Sequence, residues 1–391
     1  MKILQVTPCY LPGHRYGGPI ASVHGLSRAL VERGHEVEVF TTDMDGWKQL
    51  DPVPARNAEI DGVQVTYFPV GFGKRIHRSP DMANALYERV GEFDIAHLHG
   101  MFTWPCYRAA REAELAKIPY VLSPRGMMVQ DLIRRRGAGR KKLWIRAVDR
   151  QSIENAALVH NTSELEDREL RKFDFKIHRT ATIPNGVDLD CFDGDWSTVS
   201  PEIQKLAKRR DLVLFLGRLS WKKGLDRLVE AIGELDRGHL VIAGTDDGYE
   251  STLRKQIHKL KLEEHVTFLG QVTGRNKQAL FEASKMLVLP SLNENFGNVV
   301  LEAMAAATPS VVTVDVGASD LVEATECGLV VDGDVGQIAD AIDELLEDSE
   351  LCELMGAAGY RAAEERFSWP AIAKRFEAQY AELTRKRRVA A

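Results

Sequence analysis

Short apolar runs bounded by Gly, Pro or Asn alternate with helical stretches along this chain, and the alternation runs through twice. In the first half KILQVT (2–7), EVEVFTT (36–42), GVQVTYF (62–68), DIAHLHG (94–100), YVLSPRG (120–126) and ALVHNTS (157–163) read as strands. Helical patterns lie between most of them; PIASVHGLSRALVERG (19–34) has Pro at its start and Gly at its end. IPNGVD (183–188) then marks a break by its Pro and Asn-Gly. The pattern restarts with LVLFLG (212–217), HLVIAG (239–244), VTFLG (266–270), MLVLPS (286–291), SVVTV (310–314) and GLVV (328–331). Helices are expected near 224–236, 250–260, 276–283, 297–307, 318–325 and 335–347, and again over about 368–388.

Strands alternating with helices predict parallel sheets covered on both faces. The expected fold class is therefore α/β: two Rossmann-like, doubly wound parallel-sheet domains, residues 1–183 and 184–367, with a C-terminal helix in 368–391 packing back toward the first. Open parallel sheets bind ligands outside the carboxyl ends of their strands, so the expected site is the cleft between the two domains.

At 391 residues there is material for two cores, and the formal charge of −6 argues against general nucleic-acid binding. Five scattered cysteines without a C-x-x-C pattern fit reduced thiols, with no disulfide framework or thiolate metal site. The N-terminus lacks the apolar core of a signal peptide, and no run approaches the ~18 apolar residues of a membrane span. The simplest expectation is a cytoplasmic protein.

The stretch NENFGNVVLEAMAAATPSVVT (293–313) holds Glu294 in a polar loop and Glu302 as the one charge in an apolar run. A helix starting near Gly297 would have almost no polar face, and an unpaired carboxylate there costs several kcal/mol to bury. Either Glu302 pairs with an Arg or Lys, or it accepts hydrogen bonds from sugar or ribose hydroxyls. The preceding FGN places glycine at a helix N-terminus, where backbone amides favour an anion such as phosphate. Carboxylates for hydroxyls thus flank amides for phosphate, which suits a nucleotide-sugar.

GRLSWKKG (217–224) directly follows a predicted strand. Arg218 and Lys223 would there clamp a diphosphate and stabilise its charge as it leaves. The bland alternative is a solvated basic loop.

The GR….KKG segment, Glu294 and Glu302 in E-x7-E spacing with FG between them, EAMA, and IPNGVD at the junction together resemble family 4 of the retaining glycosyltransferases. The resemblance implies the GT-B fold, two Rossmann-like domains facing a cleft, and a nucleotide-diphosphate sugar, UDP- or GDP-linked, as donor. It implies that Arg218 and Lys223 hold the diphosphate and Glu302 the ribose. Glu294 with the amides of Phe296, Gly297 and Asn298 would hold the donor sugar. YGGP puts Gly17 and Gly18 where the family has a glycine-rich loop near the donor phosphates; a plain turn before the helix is the alternative. HLHG puts His97 and His99 on one face of a strand, and the family has a histidine here. His99, nearer the carboxyl end, is the preferred catalytic residue, and His97 the structural one. Arg125 of SPRG sits at another strand end, for an acceptor or phosphate contact or for an ion pair. Two departures stand out: Ala307 where the family has Gly, and Asn295 within the usual E-G-F-G, which would bear on sugar selectivity.

The resemblance implies retention and transfer of a hexose-type sugar to an acceptor hydroxyl, in polysaccharide or glycolipid assembly. No cofactor is expected, and no metal, because Arg218 and Lys223 supply the positive charge. D-x-D occurs four times (43–45, 188–190, 193–195, 332–334), and all four read as turn chemistry. The rivals are a nucleotide-sugar epimerase of the same fold and a non-catalytic sugar-nucleotide-binding subunit. A dehydrogenase is disfavoured because no G-x-G-x-x-G follows the first strand.

One basic stretch, IRRRGAGRKKLWIRAVDR (133–150), sets eight cations beside Leu143, Trp144 and Ile145. It reads as a solvated helix face, or as a dock for an anionic membrane surface or a pyrophosphate-bearing, lipid-linked acceptor, aided by RKRR at 385–388.

Overall fold

The computed structural model describes residues 1–15, 17–135, 138–189 and 194–390, side chains at 131, 132, 135, 138 and 386–390 excluded. The expectations for Arg135 and Arg136, for the side chains of 386–388, and for parts of the D-x-D copies at 188–190 and 193–195 lie outside the described residues. The chain forms two compact units, Met1–Gly186 with Trp369–Ala391, and Val187–Ser368.

The first unit carries strands β1 (Lys2–Val6), β2 (Glu36–Thr42), a small hairpin of β3 (Met44–Asp45) and β4 (Lys48–Gln49), then β5 (Asn57–Ile60), β6 (Val63–Phe68), β7 (Ile95–His99), β8 (Tyr120–Ser123), β9 (Leu158–Asn161) and β10 (Thr180–Thr182). Its eight-stranded sheet runs β10-β9-β8-β7-β1-β2-β6-β5. Every pairing described in this sheet is parallel except β5 with β6. The sequence pattern missed β5, β10 and the hairpin, because short polar edge strands show no apolar periodicity. Ile3, Leu4, Leu98 and Leu122 are fully or almost fully buried, as strands covered on both faces require.

The C-terminal helix Trp369–Ala390 belongs to this first unit. Trp369 packs where Gly25 and Gly186 lack side chains; a Cβ at either would come within 2.5 Å of the indole. Arg179 adds an ion pair to Glu382 at 2.6 Å.

The second unit holds β11 (Leu212–Leu216), β12 (His239–Ala243), β13 (Val266–Gly270), β14 (Met286–Leu289), β15 (Ser310–Thr313) and β16 (Gly328–Val331). They form one parallel sheet ordered β13-β12-β11-β14-β15-β16. Counted from the unit's own first strand this is the 3-2-1-4-5-6 order of dinucleotide-binding folds. The order reverses between β11 and β14, where crossovers leave on opposite sides and a crevice opens beyond the strand ends.

Candidate active site

In the second unit the residues after β11 and β14 meet at this switch point. The loop after β11 is pinned by Gly217 N–H to the Ala243 carbonyl and Leu219 N–H to the Thr245 carbonyl, both 2.9 Å. It closes on Gly224, whose φ of +61° suits a residue without Cβ; a Cβ there would lie 2.0 Å from the Pro290 carbonyl oxygen. Arg227 bridges the same region, donating to the carbonyls of Pro290 and Gly333 at 2.6 Å each. Within this frame Lys223 forms an ion pair with Glu294, both side chains about four-fifths buried. Glu294 is itself fixed through its backbone, its N–H to the Asp315 carbonyl at 3.0 Å and its carbonyl to Gly317 N–H at 2.9 Å.

Arg218 stands differently. Its side chain is 66% exposed, with Asp247 at 4.0 Å, so of these two cations Lys223 is the one locked by a close ion pair.

The helix Asn298–Ala305 starts after Gly297, at φ 92°, with no side-chain cap and no acidic residue in its first turn. Phe296 is buried ahead of it and accepts the Ala318 N–H at 2.8 Å through its carbonyl. The apolar faces of the helix are buried as expected, but Glu302 is neither unpaired nor sealed off. Its Oε1 accepts from Lys277 Nζ at 2.8 Å across to the helix Gly274–Ala283, and its side chain keeps 26% exposure. Lys277 was invisible to the sequence reading, because the pair joins two helices 25 residues apart.

The first unit gathers a second cluster at the carboxyl ends of β7 and β8. His97 uses both ring nitrogens internally, Nδ1 with the Tyr380 hydroxyl at 2.6 Å and Nε2 with Ser123 Oγ at 2.7 Å. His99 packs against it with ring centroids 4.0 Å apart and the rings tilted by 38°. Gln5 Oε1 lies 2.6 Å from His99 Nε2, and Arg125 donates to His99 Nδ1 at 3.0 Å. The acceptor on one side and the donor on the other select the Nε2–H tautomer. Burial, then the neighbouring imidazole and the Arg125 cation, hold both histidines well below the ordinary range. Burial also pushes His160, which accepts from Ser123 Oγ at Nδ1, down to about 3.

Arg125 has left-handed backbone, φ +56°, an uncommon state for a residue with a Cβ. It donates to Asn185 Oδ1 at 2.9 Å, while its Nε is shut off from solvent without a hydrogen-bond partner among the described residues. Burial lowers its pKa to about 10, so it stays a cation at neutral pH. Its hydrogen bonds run to neutral groups; the nearby Glu166 instead takes the Gly126 N–H at 2.6 Å. Gln5, Tyr380 and Asn185 escaped the sequence reading as site neighbours, although Asn185 stands inside the quoted IPNGVD. Gly17, at φ +51°, and Gly18 open the helix Gly18–Glu32.

Of the D-x-D copies described in full, only the one ending at Asp334 is local. The copy at 43–45 ties distant segments together, Asp45 taking the Arg15 N–H at 2.8 Å from 30 positions away, so it is not turn chemistry. Asp43 accepts from Val70 N–H at 3.0 Å and Gln49 at 2.7 Å, and Asp334 caps the helix Val335–Glu347. Among the described residues no three His, Cys, Asp or Glu side chains gather as a metal site.

The family description "Glycosyl transferases group 1" matches residues 198–362, and "Glycosyl transferase 4-like domain" matches residues 17–186. The chain belongs to the family 4-type glycosyltransferases. This glycosyltransferase is 29% identical over 395 residues to an uncharacterized glycosyltransferase of Methanocaldococcus jannaschii, covering 96% of both chains. It is 27% identical to the D-inositol 3-phosphate glycosyltransferase of Paenarthrobacter aurescens, covering 94% of this chain and 93% of that protein. Anabaena HepE in complex with UDP and glucose superposes with a TM-score of 0.77 at 21% identity, over 98% of the enzyme and 100% of HepE. Sucrose-phosphate synthase from Thermosynechococcus elongatus gives 0.74 at 22%, over 98% of the enzyme and 99% of the synthase. The enzyme therefore has the GT-B fold.

Proposed function

We propose that the enzyme moves a hexose-type sugar from a UDP- or GDP-sugar to an acceptor hydroxyl, with retention and without a metal, in polysaccharide or glycolipid assembly. The observation that carries this reading is the Lys223–Glu294 pair beside the uncapped helix start at Gly297, at the switch point of a 3-2-1-4-5-6 sheet. The diphosphate lies against Lys223, with Arg218 as the second cation, and the Phe296, Gly297 and Asn298 amides. Glu294 exchanges Lys223 for hydroxyls of the sugar, and Glu302 accepts from the ribose. As the bond from the anomeric carbon to the diphosphate oxygen breaks, its electron pair stays on that oxygen beside Lys223. The acceptor oxygen forms the new bond from the leaving-group face and gives up its proton to the departing phosphate. His99, Arg125, Gly17 and Gly18 serve the acceptor and phosphate side; His99, neutral and hydrogen-bonded, positions rather than abstracts.

The UDP complex of HepE supports this donor class, as does the name of a GDP-mannose-dependent mannosyltransferase of Mycobacterium tuberculosis that is 35% identical over 205 residues, 49% of this chain. A thermal-shift panel of UDP- and GDP-sugars, followed by donor hydrolysis on the best binder, tests it. Stabilisation by one donor and release of its sugar is expected; no binding and no hydrolysis across the panel overturns it. Interconversion of free donors without an acceptor would point instead to an epimerase.

The basic stretch bears on the acceptor. Leu143 is 68% exposed and is flanked by exposed Lys142 and Arg146, a face suited to an anionic lipid surface bearing the acceptor. Among the described residues no helix is long and apolar enough to cross a membrane. Salt-sensitive co-sedimentation with vesicles containing phosphatidylglycerol, lost in Leu143→Glu, is expected; equal binding to neutral vesicles removes this part.

A further inference from the structure

We propose that Lys277 is a specificity residue for the nucleotide's ribose, forming with Glu302 a paired donor and acceptor that reads the vicinal diol. The inference rests on the assignment of Glu302 to the ribose. Lys277 Nζ takes Glu302 Oε1 at 2.8 Å and leaves Oε2, which has no other hydrogen-bond partner among the described residues. An ammonium has three donors and a carboxylate about four acceptor positions, so each group keeps capacity after the pair forms. Oε2 accepts from one ribose hydroxyl while Nζ donates to the oxygen of its neighbour. Neither group alone offers both a donor and an acceptor; the pair does.

The surroundings favour a ligand-facing role over plain neutralisation. Lys277 and Glu302 keep 28% and 26% of their side-chain surface, so the pair lies at an accessible edge and adds little to folding stability. On the same helix Arg275 is spent on Glu282, at 2.5 and 2.8 Å, and on the Gly194 carbonyl at 2.9 Å. Lys277 instead reaches a different helix and the one charge on it. That charge stands in the second turn after Gly297, on the element whose N-terminal amides are assigned to the phosphates. A nucleotide bound there brings its ribose within about two helical turns of those amides, ~10 Å, which is the reach of a nucleoside diphosphate.

The test measures dissociation constants by calorimetry for UDP or GDP, whichever binds more tightly, and for its 2′,3′-dideoxy analogue. Wild type is expected to lose about tenfold or more on the dideoxy compound, the worth of losing one or more hydrogen bonds to charged groups. Lys277→Met should bind the ribonucleotide about tenfold more weakly, with most of the discrimination gone and the melting temperature unchanged. Lys277→Arg, which keeps a donor, should retain part of it. Full wild-type discrimination in Lys277→Met overturns the role of Lys277 and leaves the Glu302 assignment standing. No discrimination in wild type overturns the Glu302 assignment, and this proposal with it. Should Lys277→Met fail to fold, Lys277→Leu, which likewise has no donor, is read by the same ratio.

Discussion

Lys223 and Glu294, 71 positions apart, form an ion pair where the chain leaves the adjacent strands β11 and β14. Two residues assigned to adjacent parts of the donor, diphosphate and sugar, are thus partners of each other. Each keeps the other charge-balanced while about four-fifths buried. In the function proposed above, donor binding exchanges this contact for phosphate on one side and hydroxyls on the other.

Lys223→Ala is expected to lower turnover by about 10²–10³, the usual effect of removing one group that stabilises transition-state charge. Far-UV circular dichroism and melting temperature should stay near wild type. Near-normal turnover in the folded variant would refute the clamp.

Glu302→Gln should weaken binding of the free nucleoside diphosphate by about tenfold, ~1.4 kcal/mol, in line with losing a hydrogen bond to a charged group. Calorimetry on UDP and GDP reads this directly. An unchanged dissociation constant removes Glu302 from the ribose.

Gly224→Ala should destabilise the second unit by more than the ~1–2 kcal/mol of left-handed backbone alone, because its Cβ also meets the Pro290 carbonyl at 2.0 Å. The expected readout is a lower melting temperature and early proteolysis within Val187–Ser368. Wild-type melting would show that the loop can shift without cost.

The buried histidines set the acid limb of stability. His77 is held down to about 4 and His160 to about 3, each by burial first, with His97 and His99 lowered in the same direction. Below the unfolded pKa near 6.5 the unfolded chain binds protons that the folded chain refuses. Stability therefore falls as pH drops from ~6.5 toward 4, by up to about 1.4 kcal/mol per pH unit for each histidine that remains neutral. Denaturant midpoints at pH 7.5, 6 and 5 should decline in that order, and His160→Gln should flatten the decline.

Asp149 acts with the opposite sign. Burial raises its carboxyl to about 7, against hydrogen bonds from Trp144 Nε1 at 3.0 Å and Phe102 N–H at 3.3 Å. Its folded pKa exceeds the unfolded one, so its contribution is full below ~4 and is lost as pH rises through about 7. Asp149→Asn should gain stability relative to wild type between pH 5 and pH 8. A pH-independent difference in melting temperature would exclude a titrating Asp149.

By itself the sequence determined the two α/β halves, most of their strands, the loops that carry Arg218, Lys223 and Glu294, and the helix that carries Glu302. Those features are local: apolar runs, turn residues and helix caps act over a few neighbouring positions, so linear order exposes them. Even the glycines were legible as breaks, though the reason for Gly186 was not; it makes room for Trp369, 183 positions later. Glu302 shows the same limit, since the run around it read as a burial problem and the answer was Lys277 on another helix. His97 and His99 were placed on one face by strand period, yet it takes Gln5, Ser123, Arg125 and Tyr380 to reveal how each ring is held. Tertiary structure alone decided who partners each charge and each buried nitrogen. Those choices depend on side chains brought together by sheet order and helix packing, and no short-range pattern records them.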